Sequence, residues 1–135
     1  MCRNNKYAIS TPTEDQYKSD GVIPRSISTG VASIRVDGND TIACLEVTKY
    51  AREYILREKK PFFIEFMTYR VGDHSTSDKS SLYRSDSEVN EWKEKNNPLH
   101  RLTKFLSHYA PKDLPDEKEE RKAAQKTIID ALHSC

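Results

Sequence analysis

The chain has 135 residues, 36% of them hydrophobic and 32% charged, with 22 basic and 21 acidic side chains and a net charge of +1. That size allows one domain with a modest core, either surface-rich or completed by burial against another chain. So even a balance carries no field favouring nucleic acid or an anionic membrane, and no apolar run approaches the ~20 residues of a membrane span. Cys2, Cys44 and Cys135 are scattered, without Cys-x-x-Cys spacing, so neither a disulfide framework nor a zinc site is expected. The segment Met1–Tyr7 lacks the apolar stretch of a secretory signal and the length of an organelle-targeting peptide.

Residues 1–30 read as irregular, with turn chemistry at Ser10-Thr11-Pro12-Thr13 and Ser19-Asp20-Gly21. A structureless segment this long is expected to wrap a ligand or a partner. Ser33–Val36 reads as a short strand closed by the turn Asp37-Gly38-Asn39-Asp40. A helix is predicted from Thr41 to Lys59, with Asn39 or Asp40 as N-cap and Ile42, Leu45, Tyr50, Tyr54 and Ile55 as its apolar face. Arg57, Lys59 and Lys60 gather where the helix dipole favours cations. Pro61–Tyr69 is a nearly continuous apolar strand, and strand, helix and strand together predict a parallel βαβ unit. Ser85-Asp86-Ser87-Glu88 is a capping box opening a helix that carries Val89 and Trp92. Asn97-Pro98 opens the next helix, and Asp116–His133 reads as a charged, solvated or partner-facing helix.

Between the second strand and the capping box lies Val71–Ser85, which holds seven hydroxyls, one histidine and several charges. Polar loops of this length are functional or disordered, and this one leaves the sheet edge at which ligands of parallel sheets bind. His74, beside Ser75 and flanked by carboxylates, can act as proton donor, anion ligand or switch. The bland reading is a solvated loop of turn and cap formers.

Two blocks extend this reading. Cys2-Arg3-Asn4-Asn5-Lys6-Tyr7-Ala8-Ile9-Ser10-Thr11-Pro12-Thr13 resembles the cofactor-binding segment of thiamine-diphosphate-dependent 2-oxo acid dehydrogenases. More narrowly, it resembles the alpha subunits of branched-chain 2-oxo acid dehydrogenases. Ser33–Asp40 and Met67–Gly72 fit the same pattern, and His74-Ser75-Thr76-Ser77-Asp78 with Tyr83-Arg84-Ser85 resembles the family's phosphorylation loop. The resemblance runs from Met1 to about Leu106.

The resemblance implies an α/β fold: part of a thiamine-diphosphate-binding domain over residues 1–85, with the phosphorylation loop at 71–85, and a C-terminal helical extension over 86–135. It implies oxidative decarboxylation of branched-chain 2-oxo acids and acyl transfer to lipoyl. Arg3 would reach the diphosphate of thiamine diphosphate, and Asn5 with the Tyr7 carbonyl would coordinate Mg²⁺. His74 would sit over the cofactor as proton donor or anion stabiliser, with Arg70 and Asp78 ordering the loop around it. Ser75 and Ser85 would be phosphoacceptors, and a phosphate at Ser75 adds about −1.5 to −2 charges beside His74. The implied partners are a beta subunit, in a heterotetramer of two alpha and two beta chains, a lipoyl acyltransferase core, and a regulatory kinase and phosphatase. The implied compartment is the mitochondrial matrix.

The chain also departs from that pattern. Asp73 stands where the family usually has a second histidine, Lys79 where it has aspartate, and Lys6 where branched-chain members commonly have glycine. The tail from Ser107 lacks the family's tryptophan-rich turn. The family's Gly-acid-Gly motif, which supplies another Mg²⁺ ligand, is absent, so the chain is expected to be a piece of a larger subunit and inactive alone. The alternative expectation is a non-catalytic short isoform or fragment that binds the beta subunit or the kinase.

Overall fold

The computed structural model describes residues 1–134. It divides into two compact units, Met1–Leu102 and the segment from Thr103 onward. Among the described residues no helix is long and apolar enough to cross a membrane.

The first unit begins with a strand, β1 (Cys2–Asn4), followed by a hairpin of β2 (Tyr7–Ala8) and β3 (Thr11–Pro12). Two short helices follow, α1 (Thr13–Gln16) and α2 (Ile23–Ser28). Then come β4 (Ala32–Asp37), the long α3 (Thr41–Glu58) and β5 (Phe62–Met67). β1, β5 and β4 form a parallel sheet in that order, with β5 central. The β4-α3-β5 crossover is the βαβ unit expected from the sequence. The region 1–30, expected to be irregular, instead contributes an edge strand to the sheet and two helices. β1 has only three residues, too few for alternation to reveal it, and its strand character comes from pairing with β5.

Alternation along β4 and β5 sends Ile34, Val36, Phe62, Ile64 and Phe66 to one face, where they pack with Ala43, Cys44, Val47 and Ala51 of α3. Ile64 is 2% exposed, and such burial contributes about 1.5–3 kcal/mol. The stripe of α3 that meets the sheet is therefore Ala43, Val47 and Ala51, not the larger residues read as its face. Ile42, Leu45, Tyr50 and Ile55 are exposed. Small side chains at four-residue spacing let the helix lie close to the strands, whereas Tyr50 and Tyr54 meet the ring of Phe62 edge-on.

The turn into α3 follows from its side chains. Asp37 Oδ1 accepts from Asn39 N at 2.9 Å, and Asp40, the N-cap, accepts from Ala43 N at 2.9 Å. Gly38 lies so close to β5 that a Cβ there would fall 2.8 Å from the Met67 carbonyl oxygen.

After β5 come the long loop, one 3₁₀ turn at Ser80–Leu82, and α4 (Asp86–Lys95), whose N-cap Ser85 accepts from Glu88 N at 3.2 Å. α5 (Pro98–Tyr109) starts at a proline after the Asn97 cap. Arg101 ties this helix to Asp37 at 2.6 Å and Asp40 at 3.4 Å. In the second unit, α6 (Glu117–His133) is capped by Asp116, which accepts from the Lys118 and Glu119 amides. Ile128, Ile129 and Leu132 of α6 are exposed.

Candidate functional site

The three parallel strands end level, at Asn4, Met67 and Asp37. Beyond that edge the chain leaving β1 stays paired with the chain leaving β5, through Thr68 N to the Asn4 carbonyl (2.9 Å) and Arg70 N to the Asn5 carbonyl (3.3 Å). Asn4 and Asn5 each close a local turn: Asn4 Oδ1 accepts from Lys6 N and Asn5 Oδ1 from Tyr7 N, both at 3.2 Å. Lys6 takes φ 69, the left-handed region that favours glycine. Its ammonium offsets part of that strain by lying 4.8 Å from the centre of the Trp92 ring.

Arg3, Asn5 and Tyr7 line one wall of an open cleft of about 330 Å³, whose other wall includes Tyr17, Val22 and Arg25. Thus three of the residues singled out in the sequence share one cavity. Asn5 offers an amide oxygen and Tyr7 a carbonyl, the hard oxygen donors that Mg²⁺ prefers. Pro12, opposite Tyr7 in the hairpin, has no N–H to compete for that carbonyl. Among the described residues no group of three His, Cys, Asp or Glu side chains could hold a metal. The donors present would suit part of an Mg²⁺ shell, and the arginine would suit phosphate oxygens.

The wall-to-wall geometry rests on a residue that the sequence reading passed over. Glu65, in the middle of β5, is 0% exposed. Its carboxylate accepts from Asn4 Nδ2 (2.8 Å), Val22 N (2.8 Å), Ile23 N (3.3 Å) and Arg35 Nε (3.1 Å). Burial pushes the Glu65 carboxyl up, but the bonds from Asn4, Val22 and Arg35 outweigh it and hold the group below the usual carboxylate range. Arg35 continues the network to both oxygens of Asp20, at 2.8 and 2.9 Å.

The loop is organised by arginines and tyrosines. Arg84 is 6% exposed and donates to the carbonyls of Arg70, Val71 (3.0 Å) and Gly72 (2.9 Å), while facing the rings of Tyr7, Tyr69 and Tyr83. Arg70 donates to the Ile9 carbonyl and the Tyr83 hydroxyl, both at 2.6 Å. Tyr83 donates to Asp78 (2.7 Å), and Asp78 accepts from His74 N (2.8 Å). Those last two donors, His74 N–H first, hold Asp78 below the usual carboxylate range. Asp73 accepts from Ser80 N at 3.0 Å.

The Tyr7 hydroxyl donates to Glu88 at 3.1 Å, so that carboxylate serves the turn after β1. Tyr69 stacks flat on Trp92 at 5.1 Å. Burial, reinforced by Glu88 and opposed by Arg84, pushes Tyr69 up to about 12, and no atom closes a hydrogen bond to its hydroxyl.

His74 is exposed and does not line the cleft. The Ser75 hydroxyl lies 3.3 Å from that of Ser77, and Ser85 is engaged as the α4 cap. A signal for Glu65 was present: a lone charge inside a central apolar strand requires a buried partner. Arg84 was read only as part of the polar loop and Glu88 only as part of the α4 capping box, and neither pattern signals their contacts with the Arg70–Gly72 carbonyls and the Tyr7 hydroxyl.

Comparison with known proteins gives a consistent result. The family described as "Dehydrogenase E1 component" matches residues 1–135. The chain is 50% identical over 135 residues to "2-oxoisovalerate dehydrogenase subunit alpha, mitochondrial" of Mus musculus, covering 100% of this chain and 30% of that protein. It is 49% identical to the Homo sapiens protein of the same name over the same shares. To that of Dictyostelium discoideum it is 49% identical over 133 residues, 98% of this chain and 30% of the relative. The chain thus spans about 30% of the length of the curated relatives it matches.

Proposed function

The chain belongs to the dehydrogenase E1 component family, whose members depend on thiamine diphosphate, and on that premise we propose that it works as part of a branched-chain 2-oxo acid dehydrogenase alpha subunit. The reaction is oxidative decarboxylation of branched-chain 2-oxo acids, with transfer of the acyl group to lipoyl. The observation that carries this reading is 50% identity over all 135 residues to a mitochondrial 2-oxoisovalerate dehydrogenase alpha subunit.

When bound, thiamine diphosphate supplies the electron sink for decarboxylation. The chain's own residues bind and orient. Arg3 holds diphosphate oxygens, as a guanidinium suits phosphate. Asn5 Oδ1 and the Tyr7 carbonyl take Mg²⁺. His74 gives a proton to, or stabilises negative charge on, the reacting group, and the Arg70–Tyr83–Asp78 chain holds its backbone in place.

Ser75 and Ser85 are the phosphoacceptors, with different consequences. A phosphate on Ser75 repels an anionic oxo acid beside His74, whereas a phosphate on Ser85 sits at the N-terminus of α4, where the helix dipole tolerates it. The partners are a beta subunit, in a heterotetramer of two alpha and two beta chains, the lipoyl acyltransferase core, and a kinase and phosphatase. The compartment is the mitochondrial matrix.

The test is assembly of the full-length subunit carrying this segment with its beta subunit, followed by assay of 2-oxo acid decarboxylation with Mg²⁺ and thiamine diphosphate. His74→Asn is expected to cost about 10²–10⁴-fold in rate. Phosphorylation of Ser75 by the kinase in a protein that binds no cofactor would overturn the catalytic reading in favour of a non-catalytic binding partner.

A further inference from the structure

We propose that Glu65 is a positioning residue that sets the metal-binding turn Asn4–Tyr7 and the facing wall of the cofactor cleft in one fixed geometry. This role rests on the thiamine diphosphate reading above. The placement of the carboxylate makes the case. One oxygen, Oε1, accepts from Asn4 on β1 and from Val22 N on the wrapping segment, both at 2.8 Å, so a single atom bridges the two walls of the cleft. The other, Oε2, takes Ile23 N at 3.3 Å and Arg35 at 3.1 Å.

The transmission step is the Asn4 amide. Its Nδ2 donates to Glu65 while its Oδ1 accepts from Lys6 N at 3.2 Å, closing the turn that presents Asn5 and Tyr7. A shift of Glu65 therefore moves the metal ligands without touching them. The same Asn4 nitrogen reaches the Tyr17 hydroxyl at 3.3 Å, which ties in the opposite wall again. Gly21 completes the fit: at φ 70 its backbone passes so close that a Cβ would lie 2.7 Å from Glu65 Oε1.

Stability alone gives little reason for a charge here. A buried ion pair is often no better than well-packed apolar residues of similar volume, and the same-face neighbours along β5, Phe63 and Met67, are apolar. What an apolar side chain cannot do is accept four donors from three separate segments. Outer-shell groups of this kind typically change metal affinity by 10–100-fold when removed.

The experiment uses the full-length subunit in its native assembly and follows thiamine diphosphate binding by calorimetry while Mg²⁺ is titrated. In Glu65→Gln, one amide orientation sets an NH₂ against Asn4 and Val22, the other against Ile23 and Arg35. The Mg²⁺ concentration for half-saturation is expected to rise about 10–100-fold. Asn4→Ala should raise it similarly, and the double variant should be no worse than the weaker single, since both cut the same link. A purely structural Glu65 would lower the melting temperature and leave the Mg²⁺ requirement of the folded protein unchanged, or give additive effects with Asn4→Ala. Either result overturns the proposal. If Glu65→Gln fails to fold, Asn4→Ala decides alone, and an unchanged Mg²⁺ requirement there overturns it. A wild-type assembly that binds no thiamine diphosphate defeats the functional reading itself, whereas normal wild-type binding with unaltered variants defeats only the role of Glu65.

Discussion

The two faces of the central sheet solve different problems with the same three strands. Under α3 the face is apolar: Ile34, Val36, Phe62, Ile64 and Phe66 meet Ala43, Val47 and Ala51, and nothing there needs a partner of particular chemistry. On the opposite face, Ser33, Arg35, Glu65 and Asn4 hold the wrapping segment by directional bonds, including Ser26 Oγ to Ser33 Oγ at 2.7 Å. The first face supplies stability and tolerates volume-conserving changes. The second specifies where chain segments lie, and the candidate cofactor cleft opens on that side. Stability and site geometry are thus largely assigned to opposite faces.

That division can be broken at several points. The largest effect is expected from Ile64→Ala, which should lower the unfolding free energy by about 2–5 kcal/mol in denaturant titration, with the Mg²⁺ requirement of the remaining folded protein unchanged. Arg35→Leu should cost somewhat less, about 2–3 kcal/mol, because Glu65 keeps its other donors. Its effect should be full at neutral pH and fade in acid. A carboxyl held below its unfolded value contributes stability above that unfolded value, lost as pH falls through the folded one. Wild-type stability should therefore decline as pH falls through and below the ordinary carboxylate range, and Arg35→Leu, whose Glu65 carboxyl is held down less, should lose less over the same window. The same measurement on Glu65→Gln should show a shallower acid limb.

The smallest effect belongs to Lys6. Lys6→Ala keeps the left-handed backbone and loses the Trp92 contact, so it should be about 1 kcal/mol less stable than Lys6→Gly, which relieves the strain. Equal melting temperatures for the two variants would mean that the turn at residue 6 is not held where it lies.

The sequence was most legible where one local rule governed. Alternation in β4, the Asp40 and Ser85 caps and the Asn97-Pro98 helix start are each set within four residues. The face of α3 was misread because large apolar residues weigh more in a periodicity than Ala43 and Ala51, although close packing on a sheet selects small ones. β1 was missed because its strand character depends on β5, 61 residues away at Glu65 and Asn4. The turn residues Arg3, Asn5 and Tyr7 were found through family resemblance, and they share one cleft. What joins them to the sheet, Glu65 through Asn4, is a long-range polar contact, and no spacing rule encodes such contacts.

The most direct test of the two-face division is hydrogen exchange, read peptide by peptide, on Glu65→Gln beside Ile64→Val in the same assembly. Glu65→Gln should lose protection at the Val22 and Ile23 amides and the surrounding wrap while the α3 face keeps its own. Ile64→Val should loosen β4, β5 and α3 together and spare the wrap relative to them. The same pattern of lost protection in both variants would contradict the division and leave the sheet as one undifferentiated core.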